Sequence, residues 1–310
     1  MASSSPHALP PTIDPRAAAR WLRAPAPVAS PWLHEEVARR MAQRLEWIVA
    51  QPDKWAHWHA ARGGLEGHAL VAQRFPQAAC DVVEATPQQT GVVRAALERP
   101  WWSPGRWRGP ATRFLAESDG LADGSVQMLW ANMALHAAAD PETLIARWHR
   151  AIATDGYLMF SCLGPDTLRE LHAVYAEAGW PPAGPAFTDM HDWGDMLVHA
   201  GFAEPVMDME RIVLTYDSAE RLLQELRELG RNLHPGRFPA LRGRGFRAAL
   251  LAALARRLPA PAEEGRLALT FEIVYGHAFK PTPRAKLGAE TVLPLGDLRQ
   301  MLRRPPESGR

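Results

Sequence analysis

The sequence predicts an α/β fold in which a doubly wound, mostly parallel sheet carries helices on both faces. Short apolar runs such as "CDVV", "VQMLWA" and "GYLMFSCL" have the length and composition of buried strands. Segments with apolar residues at three- and four-residue intervals separate these runs, which is the period of an amphipathic helix. This alternation is typical of sheets joined by crossover helices, in which ligands bind beyond the carboxyl ends of the strands.

The first half of the chain supplies most of the alternation. An entry helix is predicted from Trp32 to Ile48, where Leu33, Val37 and Met41 lie on one stripe. After it come a weak strand candidate at "KWAHW", a helix at "GHALVAQRF", a strand at "AACDVVEA", a helix at "QQTGVVRAAL" and strands at "TRFLAES" and "VQMLWANMAL". The helix at "DPETLIARWHRAI" begins with an Asp-Pro pair that is typical of helix N-termini, and "GYLMFSCLG" is another buried strand.

The second half continues with more helix than strand. Helices are predicted at "PDTLRELHAVYAEAG", "DMHDWGDMLVHAGF", "AERLLQELRELG" and, after a basic stretch broken by prolines and glycines, at "RGFRAALLAALARRL". Strands are predicted at "EPVMDMERIVLTY" and at "RLALTFEIVYGHAFKP", whose apolar residues alternate. We find no internal repeat.

Composition excludes several functional classes. The 35 Lys and Arg residues nearly balance the 34 Asp and Glu residues, so no global field favours a nucleic-acid partner. Cys80 and Cys162 lack CxxC spacing, which argues against a disulfide framework and a thiolate metal site and fits a reducing cytoplasm. The N-terminus has no apolar core of a signal peptide, and "AALLAALA" is too short to cross a bilayer, so no membrane partner is expected.

Two groups of polar residues suggest a metal site but favour other interpretations. His57 and His59 would share one face of an extended segment, yet no third ligand lies nearby, and zinc sites need three or four. In "DMHDWGD", His191 and Asp195 lie one turn apart on a helix. An acidic cap at that helix N-terminus is the simpler interpretation. We therefore expect no metal.

Several motifs together indicate a family. The segments "SCLGPDTLREL", "DMHDWGDMLVHAGFAEPVMDMERIVLTY", "LLQELRELGRN" and "LTFEIVYGHAFKP" resemble the malonyl-acyl-carrier-protein O-methyltransferase family of biotin synthesis, a class I S-adenosylmethionine-dependent methyltransferase family. The resemblance extends from roughly residue 20 to 280 and is densest after Asp119. It implies a seven-stranded sheet and methylation of the free carboxylate of a malonyl thioester.

The resemblance also divides the chain. Residues 1–15 form a polar, proline-rich leader that is predicted to be disordered. Residues 16–280 form the methyltransferase-like domain, with substrate- or partner-binding additions at about 165–265, and residues 281–310 form a C-terminal tail.

The stretch "WHAARGGLEGHALVAQRFP" corresponds to the glycine-rich turn that would hold S-adenosylmethionine. A match through "AQRFP" places His59 where the class has an acidic residue, with Ala61, Gly63 and Leu65 at its three glycine positions. A shifted match uses Gly63 and Gly64 instead, and the helix then starts late. Bare backbone is needed where a ligand approaches this closely. A flexible turn without a ligand is the alternative, since a short motif is judged by its context.

Two further residues complete the predicted cofactor site. Glu84 ends the second strand, where the resemblance places the carboxylate that accepts both ribose hydroxyls; a solvated carboxylate is the alternative. Asn132 lies in the loop after the fourth strand, which lines the methyl-transfer end of the cleft in the family, although Asn also caps turns. The predicted cofactor-binding residues are thus Gly63, Gly64, Glu84 and Asn132.

The implied reaction asks little of acid–base chemistry. A carboxylate is already ionised near pH 7, so positioning and removal of water are the main sources of rate. We predict no catalytic residue beyond positioning groups.

The basic segment after the "LLQELRELG" helix suggests a partner. Arg237, Arg242, Arg244 and Arg247 could steer and orient an acidic acyl carrier protein, or they could form a solvated face.

Three functions therefore stay open. The first is an S-adenosylmethionine-dependent O-methyltransferase acting on a malonyl thioester. The second is a catalytically silent homologue that keeps the fold and a partner-binding surface. The third is the same fold with another small-molecule ligand, because a fold does not fix function.

Overall fold

The structure of the protein is a computed structural model that describes residues 13–27, 29–98, 109–260 and 265–282. Its strands are β1 (Lys54–Trp58), β2 (Ala79–Glu84), β3 (Thr112–Ala116), β4 (Val126–Ala131), β5 (Ile152–Leu163), β6 (Ala203–Tyr216) and β7 (Leu267–Phe279). Its helices are α1 (Pro15–Leu22), α2 (Trp32–Arg44), α3 (Ala60–Gly63), α4 (Leu65–Arg74), α5 (Pro87–Leu97), α6 (Pro141–Ala151), α7 (Arg169–Glu177), α8 (Met190–His199), α9 (Ala219–Leu229) and α10 (Arg244–Arg257).

The described residues form one sheet of seven strands in the order β3-β2-β1-β4-β5-β7-β6. β1 pairs in parallel with β2 and β4, β2 with β3, and β4 with β5. β7 runs antiparallel to both β5 and β6. The predicted mostly parallel sheet is confirmed, and its β1, β2 and β4 end side by side at one edge.

Alternate residues of the central strands bury opposite faces of the sheet. In β1, Trp55 packs into the cluster that contains Val37 and Met41 of α2. Ala56 and Trp58 pack into the cluster on the other face. There the rings of Trp58 and Trp148 meet edge to face, with their centroids 5.9 Å apart. The weak strand "KWAHW" is therefore a central, fully covered strand, because helices lie on both of its faces.

Helix caps follow the predicted chemistry. Asp140 accepts a hydrogen bond from the Thr143 N–H at 2.9 Å and precedes Pro141, which begins α6. Asp189 accepts from the His191 N–H at 2.8 Å and caps α8, as the acidic-cap interpretation of "DMHDWGD" predicts. These contacts satisfy amides that a helix leaves free in its first turn.

The N-terminal helix α1 was not predicted. Residues 13–15, which include its cap and its first residue, fall within the predicted leader. Asp14 caps it by accepting from the Arg16 N–H at 2.8 Å, and Pro15 is its first residue. This is the same Asp-Pro signal as at Asp140. No helix of the described residues is long and apolar enough to span a bilayer.

Helices α2 and α4 approach closely at one glycine. A Cβ added at Gly67 would lie 2.5 Å from the Cβ of Ala38. Gly67→Ala is therefore expected to lower the free energy of unfolding by about 1–3 kcal/mol through overpacking, measured by urea denaturation.

Gly91 of α5 is the matched control, since an added Cβ there meets nothing within 4 Å. Gly91→Ala should raise the free energy of unfolding by about 0.5–1 kcal/mol because alanine favours the helix. Equal effects of the two substitutions would contradict the close approach of α2 and α4.

Candidate functional site at the carboxyl end of the sheet

The chain turns sharply where β1 ends. His59 has φ of 56°, in the left-handed region, and its N–H donates to the Val83 carbonyl at 2.7 Å. The next four residues coil into the short helix α3, closed by the Gly63 N–H donating to the His59 carbonyl at 2.8 Å. The predicted glycine-rich turn is thus a helical turn with Ala60 and Ala61 buried.

Glu84 lies beside this turn at the end of β2. Its Oε1 accepts a hydrogen bond from the Ala61 N–H at 2.8 Å, and the side chain is 2% exposed. Burial raises the pKa of Glu84, against the opposing effect of the nearby His59 and Arg62. The carboxylate that was predicted to bind a ligand therefore binds the protein's own backbone.

A second carboxylate covers the start of α4. Glu35 of α2 accepts hydrogen bonds from the N–H groups of Leu65 at 2.8 Å, Glu66 at 3.2 Å and Gly67 at 3.1 Å. Free amides at a helix N-terminus attract anions. Here a side chain of the protein already occupies that position.

The segment after α1 crosses the turn and is held there by two side chains. Arg62 Nη2 donates to the carbonyls of Ala24 and Pro25, each at 3.1 Å, and its guanidinium lies 3.9 Å from the centroid of the Trp21 ring. Gln89 Nε2 donates to the carbonyls of Leu22 and Ala24 at 2.7 Å. The N-terminal segment is consequently fixed over the end of β1.

Asn132 connects the turn to the rest of the site. Its Nδ2 donates to the Gly63 carbonyl and, at 2.8 Å, to the His34 carbonyl. Its Oδ1 accepts from Ser161 Oγ at 2.6 Å, and the side chain is 1% exposed. The structure therefore brings Gly63 and Asn132 together, in contact with each other.

The two histidines that were weighed as metal ligands in β1 and just after it make contacts within the protein. His57 is fully buried, and its Nδ1 lies 3.2 Å from Nδ1 of His68, with the two rings stacked. His59 Nε2 lies 3.4 Å from Oε2 of Glu117. Within the described ranges, no three His, Cys, Asp or Glu side chains are arranged to hold a metal ion.

A cavity of about 520 Å³ opens next to Asn132, between α2, α7, α9 and α10. Its walls are mainly apolar and include Leu33, Met133, Leu168, Leu171, Leu223, Leu226, Leu250, Phe246 and Phe271. Arg227, Arg231, Arg242 and Arg247 also line it, and none of its described lining residues is acidic. Such a cavity suits a ligand with a long, weakly polar body and an anionic group.

Two imidazoles line the same cavity. His34 Nδ1 lies 2.7 Å from the Arg62 carbonyl, and burial lowers the pKa of His34 to about 4. Burial also lowers the pKa of His136 to about 3, and its buried Nδ1 has no hydrogen-bond partner among the residues that the structure describes. Both rings are neutral near pH 7, so they offer hydrogen bonds without charge.

The predicted docking arginines separate into three positions. Arg242 and Arg247 line the large cavity, and Arg242 stacks on the Phe246 ring at 4.0 Å while donating to the Tyr175 hydroxyl at 3.1 Å. Arg237 lies apart from them and pairs with Asp14 at 2.7 Å. Arg244 begins α10 and lines neither this cavity nor a smaller one beside it.

Sequence reasoning missed His34, His136 and Trp21 as site residues. His34 follows Leu33 in the predicted entry helix, but nothing in its spacing indicates that it faces a cavity. Trp21 belongs to the helix that the Asp14-Pro15 pair could have revealed.

The seven-stranded sheet, parallel except for β7, is the fold of class I S-adenosylmethionine-dependent methyltransferases. A methyltransferase candidate from Bacillus halodurans matches 80% of this chain and 100% of its own with a TM-score of 0.53 at 14% identity. The YcgJ protein of Bacillus subtilis matches 80% of this chain and 99% of its own with a TM-score of 0.50 at 15% identity. At these identities the likeness shows the fold alone.

Sequence relatives show the family. A malonyl-[acyl-carrier protein] O-methyltransferase of Laribacter hongkongensis is 39% identical over 264 residues, covering 82% of this chain and 86% of that protein. One of Gallionella capsiferriformans is 37% identical over 269 residues, covering 86% and 90%. The chain belongs to the malonyl-[acyl-carrier protein] O-methyltransferase family, which confirms the resemblance. No protein-family model matches it.

S-adenosylmethionine is the cofactor that the fold and the family imply, and the predicted cofactor residues make contacts within the protein itself. The Glu84 carboxylate is buried and accepts the Ala61 N–H. Glu35 caps α4. The residue directly after β1, where the class has a carboxylate, is His59. A ligand that binds Glu84 would compete with the hydrogen bond from the Ala61 N–H.

The buried state of Glu84 can be tested by its linkage to pH. Because its pKa is raised in the folded protein, its contribution to stability is fully present below the unfolded pKa and is lost as pH rises through the folded pKa. Glu84→Gln keeps the acceptor for Ala61 without the charge. The variant should therefore gain stability relative to the native protein as pH rises from about 4.5, measured by urea denaturation at a series of pH values.

Glu46→Gln, which removes an exposed carboxylate, controls for net charge. If Glu84→Gln instead loses stability relative to the native protein as pH rises, Glu84 is not buried in this way.

Proposed function

We propose that this protein methylates the free carboxylate of a malonyl-type thioester carried by an acyl carrier protein, with S-adenosylmethionine as methyl donor. Its membership of a family whose relatives are named for this reaction supports the proposal. The observation that carries it for this chain is the arginine-bearing apolar cavity of about 520 Å³ next to the Asn132 loop.

The cavity provides what a malonyl thioester needs for recognition. The apolar walls fit the body of an acyl thioester, while His34 and His136 offer uncharged hydrogen-bonding groups. A malonyl carboxylate is ionised near pH 7, so no residue has to remove a proton from it. The protein would act by orienting this carboxylate and excluding water.

Arginines of the cavity also suit an acidic carrier. Arg227 and Arg247 are exposed, whereas Arg242 is half-buried against aromatic rings. Complementary charge mainly raises the rate and specificity of association. We assign Arg242 and Arg247 to recognition of the carrier. Arg244 would add to the positive charge around the cavity without lining it.

The second candidate function is a partner-binding homologue that performs no methyl transfer. The specific observation that favours it is the hydrogen bond from Ala61 to the buried Glu84, together with the Glu35 cap on α4. Under this alternative, α3 keeps its helical turn, and the partner binds at the cavity alone.

One experiment separates the candidates. The full chain is incubated with malonyl-acyl carrier protein and S-adenosylmethionine, and the methyl ester is detected by mass spectrometry. S-adenosylhomocysteine binding is measured in parallel by thermal shift, where ligand at a hundred times its dissociation constant adds about 2.7 kcal/mol of stability. Methyl ester together with a shift supports methyl transfer.

Carrier binding without ester or shift supports the silent homologue, and absence of all three contradicts both candidates. Arg247→Ala should lower kcat/KM, or carrier affinity in the silent case, by about 5- to 10-fold at low salt. Arg256→Ala is the matched control, since Arg256 is also exposed on α10 but does not line the cavity.

A further inference from the structure

A second cavity lies beside the first, and the two share part of their lining. It measures about 320 Å³ and lies between α1 and the segment after α9. Trp21, Arg231, Asn232 and Leu233 line both cavities. The two cavities therefore adjoin at these residues.

The second cavity carries an excess of positive charge. Arg20, Arg231 and Arg237 line it, and no acidic side chain does. Arg237 is neutralised by Asp14 at 2.7 Å. Across the described parts of the chain, no carboxylate forms an ion pair with Arg20 or Arg231, so two guanidinium charges are left for a ligand.

A further like charge adds to this excess. The guanidinium groups of Arg62 and Arg231 lie 3.9 and 5.3 Å from the centroid of the same Trp21 ring. Burial lowers the pKa of Arg62, and the charge of Arg231 lowers it further, against the effect of Glu84. The two like charges repel each other, and an anion beside them would relieve the repulsion.

Two of the three arginines are held in place by backbone carbonyls. Arg231 Nη1 donates to the carbonyls of Arg227 and Gly230 at the end of α9, and no acceptor among the described residues bonds its Nε or Nη2. Arg237 Nη1 donates to the His234 carbonyl at 2.8 Å. Asp14 both pairs with Arg237 and caps α1, and thus fixes α1 to this segment. Preorganised donors lose little entropy when they bind a ligand.

We propose that this second cavity binds the phosphate group of the pantetheine arm that carries the acyl thioester. Guanidinium groups match phosphate because several of their N–H donors can contact its oxygens at once. The thioester end of the arm would then lie in the apolar cavity, past Trp21. This assignment rests on the substrate recognition proposed above but not on methyl transfer.

The test compares two ligands that differ only in the phosphate. Binding of 4′-phosphopantetheine and of pantetheine to the full chain is measured by calorimetry at low ionic strength in a buffer without phosphate. The phosphorylated ligand should bind about tenfold or more tightly, as expected for charge-assisted hydrogen bonds. Inorganic phosphate should compete with it and leave pantetheine binding unchanged.

Substitutions locate the effect. Arg20→Ala combined with Arg231→Ala should abolish the preference for the phosphorylated ligand. Arg23→Ala should keep it, because Arg23 is exposed beside α1 and lines neither cavity. Equal affinities for the two ligands, no binding of either, a preserved preference in the double variant or its loss in Arg23→Ala would each overturn the proposal. No methyl donor is present, so the result is independent of whether the protein transfers a methyl group.

Discussion

The side chain of Asn132 is the constraint on which the whole site depends. Its amide joins the Gly63 carbonyl of α3 to the His34 carbonyl of α2, and Ser161 of β5 holds its oxygen. Since all of these groups are buried, loss of any partner would leave a polar group unsatisfied. One side chain thus sets both the closed turn after β1 and the His34 wall of the cavity.

The closed turn is favoured by the residues at its start. Ala61 lies at a predicted glycine position, and Ala60, Ala61 and Arg62 all favour helix, whereas glycine favours open backbone. Once the segment coils, its amides need acceptors, and Glu84 and the His59 carbonyl supply them. The closed turn after β1 therefore competes with any ligand for Glu84.

Much of the fold could be predicted because the spacing of apolar residues within each segment indicates a helix or a strand. "VQMLWA" and "CDVV" are buried strands, and the Asp140-Pro141 pair begins α6. The predicted cofactor residues Gly63, Glu84 and Asn132 do gather at the carboxyl ends of the strands, as the rule for such sheets requires. Their role in binding stays a prediction.

The cavities could not be predicted, because they depend on contacts between distant segments. Trp21 and Arg231 are 210 positions apart in the chain and meet only after α1 packs beside the end of α9. The burial of Glu84 likewise depends on Ala61, which periodicity cannot reveal. Which groups this turn offers to a ligand thus depends on its conformation as well as on its residues.

Hydrogen–deuterium exchange of the free protein over residues 59–68 tests this conclusion most directly. The amides of Ala61, Gly63 and Gly64 each donate a hydrogen bond within the closed turn or to Glu84, so they should exchange slowly, at rates comparable to amides of β1. Complete exchange of these amides at the earliest time point would show that the turn is open and that Glu84 is free to meet a ligand.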